Sequence, residues 1–372
     1  MANRSTADMR LFFDARYIRT DFHDGISRYS AELAQAVADA ASVHQAEVTY
    51  VIHDERQRAF LPDGATTLTI HSPTSAKEPF SSLLLNRHRP DVLFSPMQTI
   101  GSAGRRFRLI LTLHDTIYYR HRTPPRALPW YVRLGWRVFH LSYWPQRWTL
   151  NAADLVATVS ETSARQFARV RLTKRPVVVI PNAPQRLAEL LPESATVGDG
   201  PVRNLVYMGS FMPYKNVETL VTAMRELPEH TLHLLSRITP ERRAELTALA
   251  GGASVVFHDG VTDAAYAALL ADAAALVTTS LDEGYGLPVA EALELGVPAV
   301  VTDMEIFREV AGDGALYVDP LDPQDVARAV RSLDDPGVRE RLVEAGTAHI
   351  RSFDWARSAQ ILLAAAKDLS RS

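Results

Sequence analysis

Short apolar runs alternate along the chain with stretches in which apolar residues recur at helical spacing. In the stretch 217–227, for example, Val217, Leu220, Val221 and Met224 share one helical face. The short runs are rich in β-branched residues and end at polar or turn-forming residues, which is typical of buried strands. Six such runs lie in each half of the chain: 9–13, 48–52, 92–94, 109–113, 155–159 and 177–180, then 205–208, 232–235, 255–257, 276–278, 299–301 and 316–318.

Strands that alternate with helices predict parallel sheets covered by helices. The chain has 372 residues, too many for one ordinary core, and residues 185–200 mix Pro, Glu, Ser and Gly without a clear period. We therefore predict an α/β fold with two Rossmann-like, doubly wound lobes that face each other across a cleft. The first lobe comprises residues 1–184, the linker 185–200 and the second lobe 201–353. A last helix, over about 354–369, has no strand after it and could cross back to the first lobe.

Composition narrows the class of protein. The chain contains no cysteine, which excludes disulfides, thiolate metal ligands and a cysteine nucleophile. Its polar start leads directly into an apolar strand, so neither a signal peptide nor a transit peptide is predicted, and no apolar run is long enough to span a membrane. The net charge of −3 argues against a nucleic-acid partner. These observations predict a cytoplasmic protein.

One segment departs from this balanced composition. No acidic residue occurs between Thr116 and Ala153, and four of the five tryptophans lie there. The segment contains six arginines: Arg120, Arg122, Arg126, Arg133, Arg137 and Arg147.

Aromatic and basic side chains mixed in this way are typical of surfaces that contact anionic bilayers. One hypothesis is therefore a peripheral membrane contact through residues 118–148. The alternative is internal packing, because Trp130, Leu134, Val138 and Leu141 recur near helical spacing and could bury one face of a first-lobe helix.

The most informative motif is Glu283-Gly-Tyr-Gly-Leu-Pro-Val-Ala-Glu291, in which seven residues separate two glutamates. The motif joins a predicted strand to a helix that begins near Pro288. Ligands of open parallel sheets bind beyond the carboxyl ends of the strands, where Glu283 falls, and Glu291 in the first helical turn can face the same crevice. A polyhydroxyl ligand could use both acceptors. Alternatively, Glu291 only complements the helix dipole, and Gly284 and Gly286 only form a turn.

A second motif, Gly209-Ser-Phe-Met-Pro-Tyr-Lys215-Asn, follows the first strand of the second lobe and precedes a helix. Its backbone N–H groups and Lys215 are placed to meet a phosphate. The motif is neither a Walker loop nor the Gly-x-Gly-x-x-Gly fingerprint of dinucleotide-binding folds. The alternative is a solvated lysine at a helix start.

Taken together, these motifs resemble the retaining glycosyltransferases of GT-B fold, family 4, over nearly the whole chain. The order of signals is the one that the family shows, and the Glu283-x7-Glu291 spacing is the most specific of them. The others are Gly25-Ile-Ser-Arg-Tyr29, His114-Asp115, Ala153-Asp-Leu-Val-Ala-Thr-Val-Ser160, Ile180-Pro-Asn182 and the Lys215 loop.

The resemblance implies a role for each matching residue. Glu283 looks like the residue that holds the donor hexose, Glu291 like the one that binds the nucleotide ribose, and Lys215 like a diphosphate clamp. His114 looks like a residue near the donor 6-hydroxyl, and Gly25 like the loop that lets the diphosphate approach the first lobe. His114, Lys215 and Glu283 are thus the catalytic candidates. The other donor-binding candidates are Gly209, Ser210, Arg237, Gly284, Tyr285, Gly286 and Leu287.

The chain departs from the family pattern in two places. Family members commonly carry an arginine beside the glycine or the lysine of the Lys215 loop, where this chain has Ser210 and Tyr214. Arg237, at the end of the next predicted strand, could supply the second cation, or could be an exposed arginine beside a helix. Asn182-Ala183 replaces the usual Asn-Gly, which affects only that turn.

Histidines that end buried strands are often hydrogen-bonded core residues. His114 could therefore be such a core residue instead of a residue that faces the donor. Asp115 could orient His114 or cap the following turn. With Arg120 and Arg122, Asp115 forms the set of acceptor-side candidates.

The resemblance implies transfer of a hexose, with retention of anomeric configuration, from a nucleotide diphosphate sugar to an acceptor hydroxyl. No Asp-x-Asp triplet lies at a strand end, so no metal is predicted. No other cofactor is expected, and the nucleotide sugar is a co-substrate. GDP-mannose is favoured, because the Lys-Asn loop and the Glu-Gly-Tyr-Gly-Leu-Pro run look like those of bacterial mannosyltransferases. A UDP-sugar remains open.

The expected acceptor is a glycan or a lipid-linked glycan, reached at the inner face of the cell membrane if residues 118–148 dock there. Two other functions stay open from the residues alone. One is a nucleotide-sugar epimerase of the same fold, and the other is a non-catalytic two-lobe sugar-binding protein.

Overall fold

The computed structural model describes residues 8–21, 25–124, 129–191 and 203–372. Arg126 and most of the predicted linker, residues 192–200, lie outside these ranges. The chain divides into two compact units: unit 1 runs to Asn182 and also includes Asp354–Ser372, and unit 2 is Ala183–Phe353. Within the predicted linker, Leu187–Leu190 forms a 3₁₀ turn that packs in unit 2.

Unit 1 is built on a parallel sheet with seven strands in its described part, in the order β3-β2-β1-β4-β5-β6-β7. Six of them are the predicted strands. The strand that the sequence pattern missed is β3, because it is a three-residue edge strand with a single apolar residue. The strands are β1 Met9–Asp14, β2 Ala46–Ile52, β3 Thr67–Thr69, β4 Val92–Ser95, β5 Arg108–Thr112, β6 Leu155–Thr158 and β7 Val177–Val179.

Unit 2 is built on a second parallel sheet, with the order β10-β9-β8-β11-β12-β13, and all six strands are where the apolar runs predict them. Every residue of β11 is buried, as expected for a parallel strand that is covered on both faces. The strands are β8 Asn204–Tyr207, β9 Thr231–Leu234, β10 Val255–Phe257, β11 Ala273–Thr278, β12 Ala299–Thr302 and β13 Ala315–Val318.

The helices lie between the strands and are numbered along the chain. They are α1 Gly25–Ala41, α2 Ser81–Leu85, α3 Ile117–Arg120, α4 Trp130–Phe139, α5 Trp144–Asn151, α6 Glu161–Arg169, α7 Val217–Ala223, α8 Pro240–Ala250, α9 Asp263–Ala271, α10 Leu287–Glu294, α11 Glu305–Ala311, α12 Pro323–Ser332, α13 Pro336–Ile350 and α14 Trp355–Arg371.

Local sequence signals explain several helix boundaries. The Ser160 side chain accepts a hydrogen bond from Ser163 N and caps α6. Asp322 caps α12 in the same way, with Pro323 at the first helical position. The predicted apolar face of α7 is completely buried in the unit 2 core.

Helix α14 returns to unit 1 and lies against α1. Leu362 and Leu363 are fully buried there. The Ser358 hydroxyl donates to the Pro181 carbonyl at 2.7 Å, and the Trp355 ring lies 5.8 Å from the Tyr29 ring. Residues that follow unit 2 in the chain therefore complete the core of unit 1.

The alternative of internal packing for residues 118–148 is wrong for one helical face. Trp130, Leu134, Val138 and Leu141 are between 56% and 75% exposed, so they bury no face of α4. Within the described ranges, no helix is long and apolar enough to cross a bilayer.

In each sheet the strand order reverses at one place, between β1 and β4 in unit 1 and between β8 and β11 in unit 2. Loops diverge at such a switch point, and the carboxyl edge there is where doubly wound sheets bind ligands. The predicted fold class, two Rossmann-like parallel-sheet domains, is confirmed.

Candidate active site

The two motifs of unit 2 meet at its switch point. The Lys215 loop follows β8, and Glu283 follows the neighbouring strand β11, so both lie at the same edge of the sheet. Three hydrogen bonds join the two loops, and a fourth ties Asn216 to the loop after β13. They run from Leu281 N to Tyr214 O at 2.7 Å, from Thr279 Oγ1 to Asn216 O at 2.8 Å, and from Asn216 Nδ2 to Thr279 O at 3.1 Å and to Pro320 O at 2.6 Å.

Asn216 adopts the left-handed conformation, with φ of 49°, at the end of the 3₁₀ turn Pro213–Lys215. Asparagine tolerates this region better than most residues, and its side chain here also joins the two loops. The Lys-Asn pair of the motif thus combines a charged group with the residue that fixes the turn behind it.

Lys215 and Glu283 form an ion pair, with Nζ 2.5 Å from Oε1. The two side chains are only 15% and 13% exposed. Ser280 Oγ donates to the same Oε1 at 2.9 Å, and the Lys215 Nζ lies 5.4 Å from the centre of the Tyr214 ring. Lys215 and Ser280 both contact Oε1 of Glu283. Oε2 of Glu283 can therefore accept a hydrogen bond from a ligand.

Tyr207, the last residue of β8, is fully buried near this pair. Burial, together with the neighbouring Glu283 carboxylate, raises the pKa of Tyr207 well above its ordinary value. Its hydroxyl donates to the Ser210 carbonyl at 2.8 Å, and a Cβ on Gly209 would come 2.8 Å from that hydroxyl. A glycine at 209 is therefore required for this close approach. Gly209 N itself donates to Ser236 Oγ at 3.3 Å, and Ser210 is exposed.

Glu291 is 1% exposed and accepts a hydrogen bond from the Tyr266 hydroxyl at 2.9 Å. Tyr266 belongs to α9, so this bond joins α9 and α10. Helix α10 begins at Leu287, one residue earlier than predicted, which puts Glu291 in the second turn rather than the first. The prediction of a first-turn carboxylate is therefore wrong, and the helix-dipole role is weakened, since that effect falls off beyond the first turn.

The connection between the two glutamates depends on one glycine. Gly286 has φ of 95°, and a Cβ there would lie 2.8 Å from the Phe307 ring. Both the backbone conformation and the space favour glycine. Tyr285 is 5% exposed, with its ring 6.2 Å from that of Phe353, and burial raises its pKa well above the usual range. Gly284 and Leu287 are both half-buried.

Arg237 follows β9, which neighbours β8, so it lies at the same edge of the sheet as the Lys215 loop. It is exposed, and its side chain lies against Gly260, where an added Cβ would be 3.1 Å from Arg237 Cγ. Arg237 and Lys215 therefore follow neighbouring strands at one edge of the sheet.

The predicted residues of unit 1 lie at the carboxyl edge of its own sheet. His114 Nε2 donates to the Pro96 carbonyl at 2.8 Å, and the Tyr29 ring meets the His114 ring edge-on at 5.1 Å. Asp115 Oδ1 accepts from Ile117 N at 2.9 Å, so Asp115 caps the start of α3. Gly25 is the exposed first residue of α1.

Arg120 and Arg122 are exposed at the end of α3. Arg120 Nη1 donates to Thr116 Oγ1 at 2.9 Å, and Arg122 Nε donates to the Tyr119 carbonyl at 3.1 Å. Arg122 is thus tied to its own turn, whereas Arg120 also donates to Gln166 Oε1 on α6 at 3.4 Å.

Sequence reasoning missed a charged network at the switch point of unit 1. Arg16 Nε lies 2.7 Å from Asp14 Oδ1, Arg16 Nη1 lies 2.8 Å from Glu78 Oε2, and Ser95 Oγ donates to Asp14 Oδ2 at 3.1 Å. Burial alone would lower the pKa of Arg16, but Asp14 and Glu78 raise the pKa by more than burial lowers it. The guanidinium therefore stays charged. The signal was present as Asp14-Ala-Arg16, directly after the first strand. The network braces the loops after β1 and β4.

Comparison with known proteins adds to this picture. The family model described as Glycosyltransferase Family 4 matches residues 23–183, and the model described as Glycosyl transferases group 1 matches residues 199–349. The sucrose-phosphate synthase of Thermosynechococcus elongatus has the same fold, with a TM-score of 0.73 and 19% identity over 97% of this chain and 99% of that one.

Two curated relatives are mannosyltransferases. O-antigen chain mannosyltransferase B of Escherichia coli is 28% identical over 56% of this chain and 58% of its own length. MMP alpha-(1->4)-mannosyltransferase of Mycolicibacterium hassiacum is 32% identical over 42% of this chain and 41% of its own length. These matches thus span about half the length of the curated relatives.

The two family-model matches, the relatives and the fold define a glycosyltransferase of GT-B fold. Within that class, the chain belongs to the family 4-like glycosyltransferases.

Proposed function

We propose that this protein transfers a hexose, with mannose favoured, from a nucleotide diphosphate sugar to an acceptor hydroxyl, with retention of configuration and without a metal ion. The observation that carries the proposal is the Lys215–Glu283 pair at the switch point of unit 2, followed by the buried Glu291 on α10. The mannosyltransferase relatives support the choice of sugar.

In the proposed reaction, the bond between the anomeric carbon and the diphosphate oxygen breaks, and a bond from that carbon to the acceptor oxygen forms. The acceptor proton passes to the departing diphosphate. Charge on the leaving group is stabilised by the Lys215 ammonium, which the two joined loops hold in place before the donor binds. A preorganised cation in a shielded site stabilises developing charge more than one in water.

The two glutamates divide the donor between them. Glu283 keeps Lys215 and Ser280 on Oε1 and offers Oε2 to a hydroxyl of the hexose. Glu291 binds the ribose through its carboxylate, which Tyr266 orients from behind. Arg237 supplies the second positive charge for the diphosphate from the neighbouring strand end. The roles given above to Gly25 and His114 remain predictions.

GDP-mannose is the favoured donor, with a UDP-sugar as the competing one. The acceptor is a glycan or a lipid-linked glycan, with Arg120 and Arg122 as candidate contacts for it. A peripheral membrane contact through residues 118–148 would bring the chain to a lipid-linked acceptor.

Incubation with a panel of GDP- and UDP-sugars, followed by detection of free nucleoside diphosphate, tests the proposal. Slow release of GDP from GDP-mannose without acceptor is expected, because transferases slowly hydrolyse their donors. Conversion of one nucleotide sugar into another would instead indicate an epimerase. Tight binding without release or conversion, also in the presence of cell-extracted glycan acceptors, would indicate a sugar-binding protein and overturn the proposal.

A further inference from the structure

Helix α4 presents an apolar face to solvent. No residue of this helix is buried, although most of its residues are apolar or aromatic. Trp130 is 75% exposed, Tyr131 62%, Leu134 56% and Val138 58%. These positions follow helical spacing and so lie on one side of the helix. A folded domain normally turns such a face inward, because exposed apolar area costs free energy unless something covers it.

The opposite face of α4 explains how the helix is held in this orientation. The Trp136 ring meets the Tyr118 ring at 5.0 Å, and the His140 ring, directly after the helix, meets the Tyr119 ring at 5.0 Å. Tyr119 is buried, and its ring also lies 4.2 Å from that of Tyr143. An inner aromatic cluster therefore attaches α4 to unit 1, and the outer side chains are not needed for that attachment.

Helix α5 continues the exposed surface. Trp144 and Trp148 are one helical turn apart and are 69% and 73% exposed. With Trp130, three large tryptophan side chains of unit 1 thus face solvent. We call the combined surface the outer aromatic face, formed by Trp130, Tyr131, Leu134, Val138, Trp144 and Trp148.

The arginines of this region separate into two groups. Arg147 donates to the carbonyls of Val170 and Arg171 at 2.7 and 3.1 Å. Arg120 and Arg122 also donate within unit 1, to Thr116 and Gln166 and to the Tyr119 carbonyl respectively. By contrast, Arg133 and Arg137 lie on α4 itself, along one edge of the outer aromatic face, and Arg137 is exposed. No acidic residue occurs from Thr116 to Ala153 to neutralise them.

We propose that the outer aromatic face docks on the surface of an anionic lipid bilayer. This proposal deepens the membrane contact of the proposed function and names the side chains that make it. Tryptophan and tyrosine favour the bilayer interface, and arginines beside them are attracted to anionic headgroups. A second copy of the chain fits less well, because a symmetric contact would enclose Arg133 and Arg137 of each copy and residues 116–153 supply no acidic partner for them.

Cosedimentation with vesicles tests the docking surface. The full chain is expected to bind phosphatidylglycerol–phosphatidylcholine vesicles at low salt and to bind more weakly at high salt or to pure phosphatidylcholine vesicles. Tryptophan fluorescence should shift to the blue on binding, since exposed indoles would leave water.

The key variant replaces Trp130, Trp144 and Trp148 by serine. We expect its partition coefficient on anionic vesicles to fall by about tenfold or more, because three large aromatic surfaces no longer enter the interface. The matched control replaces Phe80 and Leu321 by serine in the same way. These two residues are 63% and 71% exposed but lie outside this face, so the control should bind like the wild type. Arg137→Glu should weaken anionic binding by roughly thirtyfold, because one positive charge is lost and one negative charge is gained. Arg87→Glu, an exposed arginine elsewhere in unit 1, is its control and should have little effect.

Wild-type protein that stays in the supernatant with anionic vesicles at low salt would overturn the proposal, as would equal binding by the triple variant. Concentration-dependent self-association that the triple variant abolishes, without vesicle binding, would assign the face to a second copy. Donor hydrolysis measured without vesicles keeps this test apart from the proposed function. The triple variant should keep it, and its absence in the wild type would count against the reaction but not against the docking surface.

Discussion

The switch point of unit 2 and the outer aromatic face of unit 1 expose their side chains to water in opposite ways. At the switch point, Lys215 and Glu283 bond to each other and are largely shielded from water. On the outer face, tryptophans such as Trp130 and Trp148 are about three-quarters exposed (75% and 73%) although they are largely apolar. Shielded, prearranged charges are suited to a small charged ligand, whereas an exposed apolar surface is suited to a broad one. The contrast separates the proposed site of chemistry from the proposed site of attachment.

The largest effect should come from Lys215→Ala. Removing a cation that meets the leaving group is expected to lower the transfer rate by about a hundredfold or more. Lys215→Arg, which keeps the charge, is the conservative control and should retain part of the activity. Steady-state rates with GDP-mannose measure this. A loss of less than a few fold would show that the ion pair with Glu283 only stiffens the loop.

Arg237→Ala belongs to the same experiment. A loss similar to that of Lys215→Ala would support Arg237 as the second cation for the diphosphate. Full activity would leave the departure at Ser210 and Tyr214 without a compensating residue.

Glu291→Ala should weaken nucleotide binding by about 1.5–3 kcal/mol, the range for a lost hydrogen bond to a charged group. Because Glu291 also holds Tyr266, Tyr266→Phe is the matched control, which removes the helix-to-helix bond and leaves the carboxylate. Calorimetry with GDP and UDP measures affinity, and thermal unfolding measures stability. Unchanged nucleotide affinity with a lower melting temperature in both variants would assign Glu291 to structure alone.

Glu283→Ala should lower the transfer rate at least about tenfold and leave GDP affinity nearly normal, because its free oxygen is predicted to meet the sugar rather than the nucleotide. Comparing Kd for GDP with kcat for transfer separates the two. Equal losses in both would contradict the division of the donor between Glu283 and Glu291.

The position of Gly286 provides a test by stability. Gly286→Ala would place a Cβ at φ of 95° and 2.8 Å from the Phe307 ring, so unit 2 should lose about 1–3 kcal/mol of its free energy of unfolding. Chemical denaturation measures this. Little change would mean that the loop between the two glutamates can rearrange, and that their spacing is not fixed by this turn.

The smallest expected effect lies on the other side of the comparison. A Cβ at Gly135, within α4, would meet no other atom within 4 Å. Gly135→Ala should therefore stabilise α4 by about 0.5–1 kcal/mol through helix propensity alone. Hydrogen exchange of the backbone amides in 130–139 should slow accordingly. Faster exchange would show that α4 is packed more tightly than its exposure indicates.

The parts of the fold that depend on burial were readable from the sequence. Runs of apolar residues predicted all six strands of unit 2, because parallel strands covered on both faces need apolar side chains at nearly every position. The edge strand β3 was not predicted, because Thr67 and Thr69 are not apolar. The sequence also put the Lys215 loop and Glu283 at strand ends, where ligands of parallel sheets bind, but it did not predict the ion pair between them.

Orientation could not be read in the same way. Helical spacing shows that Trp130, Leu134 and Val138 share a face, but not whether that face turns toward the core or away from it. Here the inner position is taken by Trp136 against Tyr118, and the stripe of Trp130 faces outward. The buried Asp14–Arg16 bond was missed for a related reason, because charged residues directly after a strand are usually exposed.

The return of α14 to unit 1 has a consequence for how this chain is made. During synthesis, the sheet of unit 1 leaves the ribosome first, but Leu362 and Leu363 of its core come only after all of unit 2. Unit 2 can therefore complete its core before α14, the last helix of unit 1, has been synthesised. A fragment that ends at Asn182 would expose the α1 surface that α14 covers, so any attempt to produce unit 1 alone must join residues 354–372 to it.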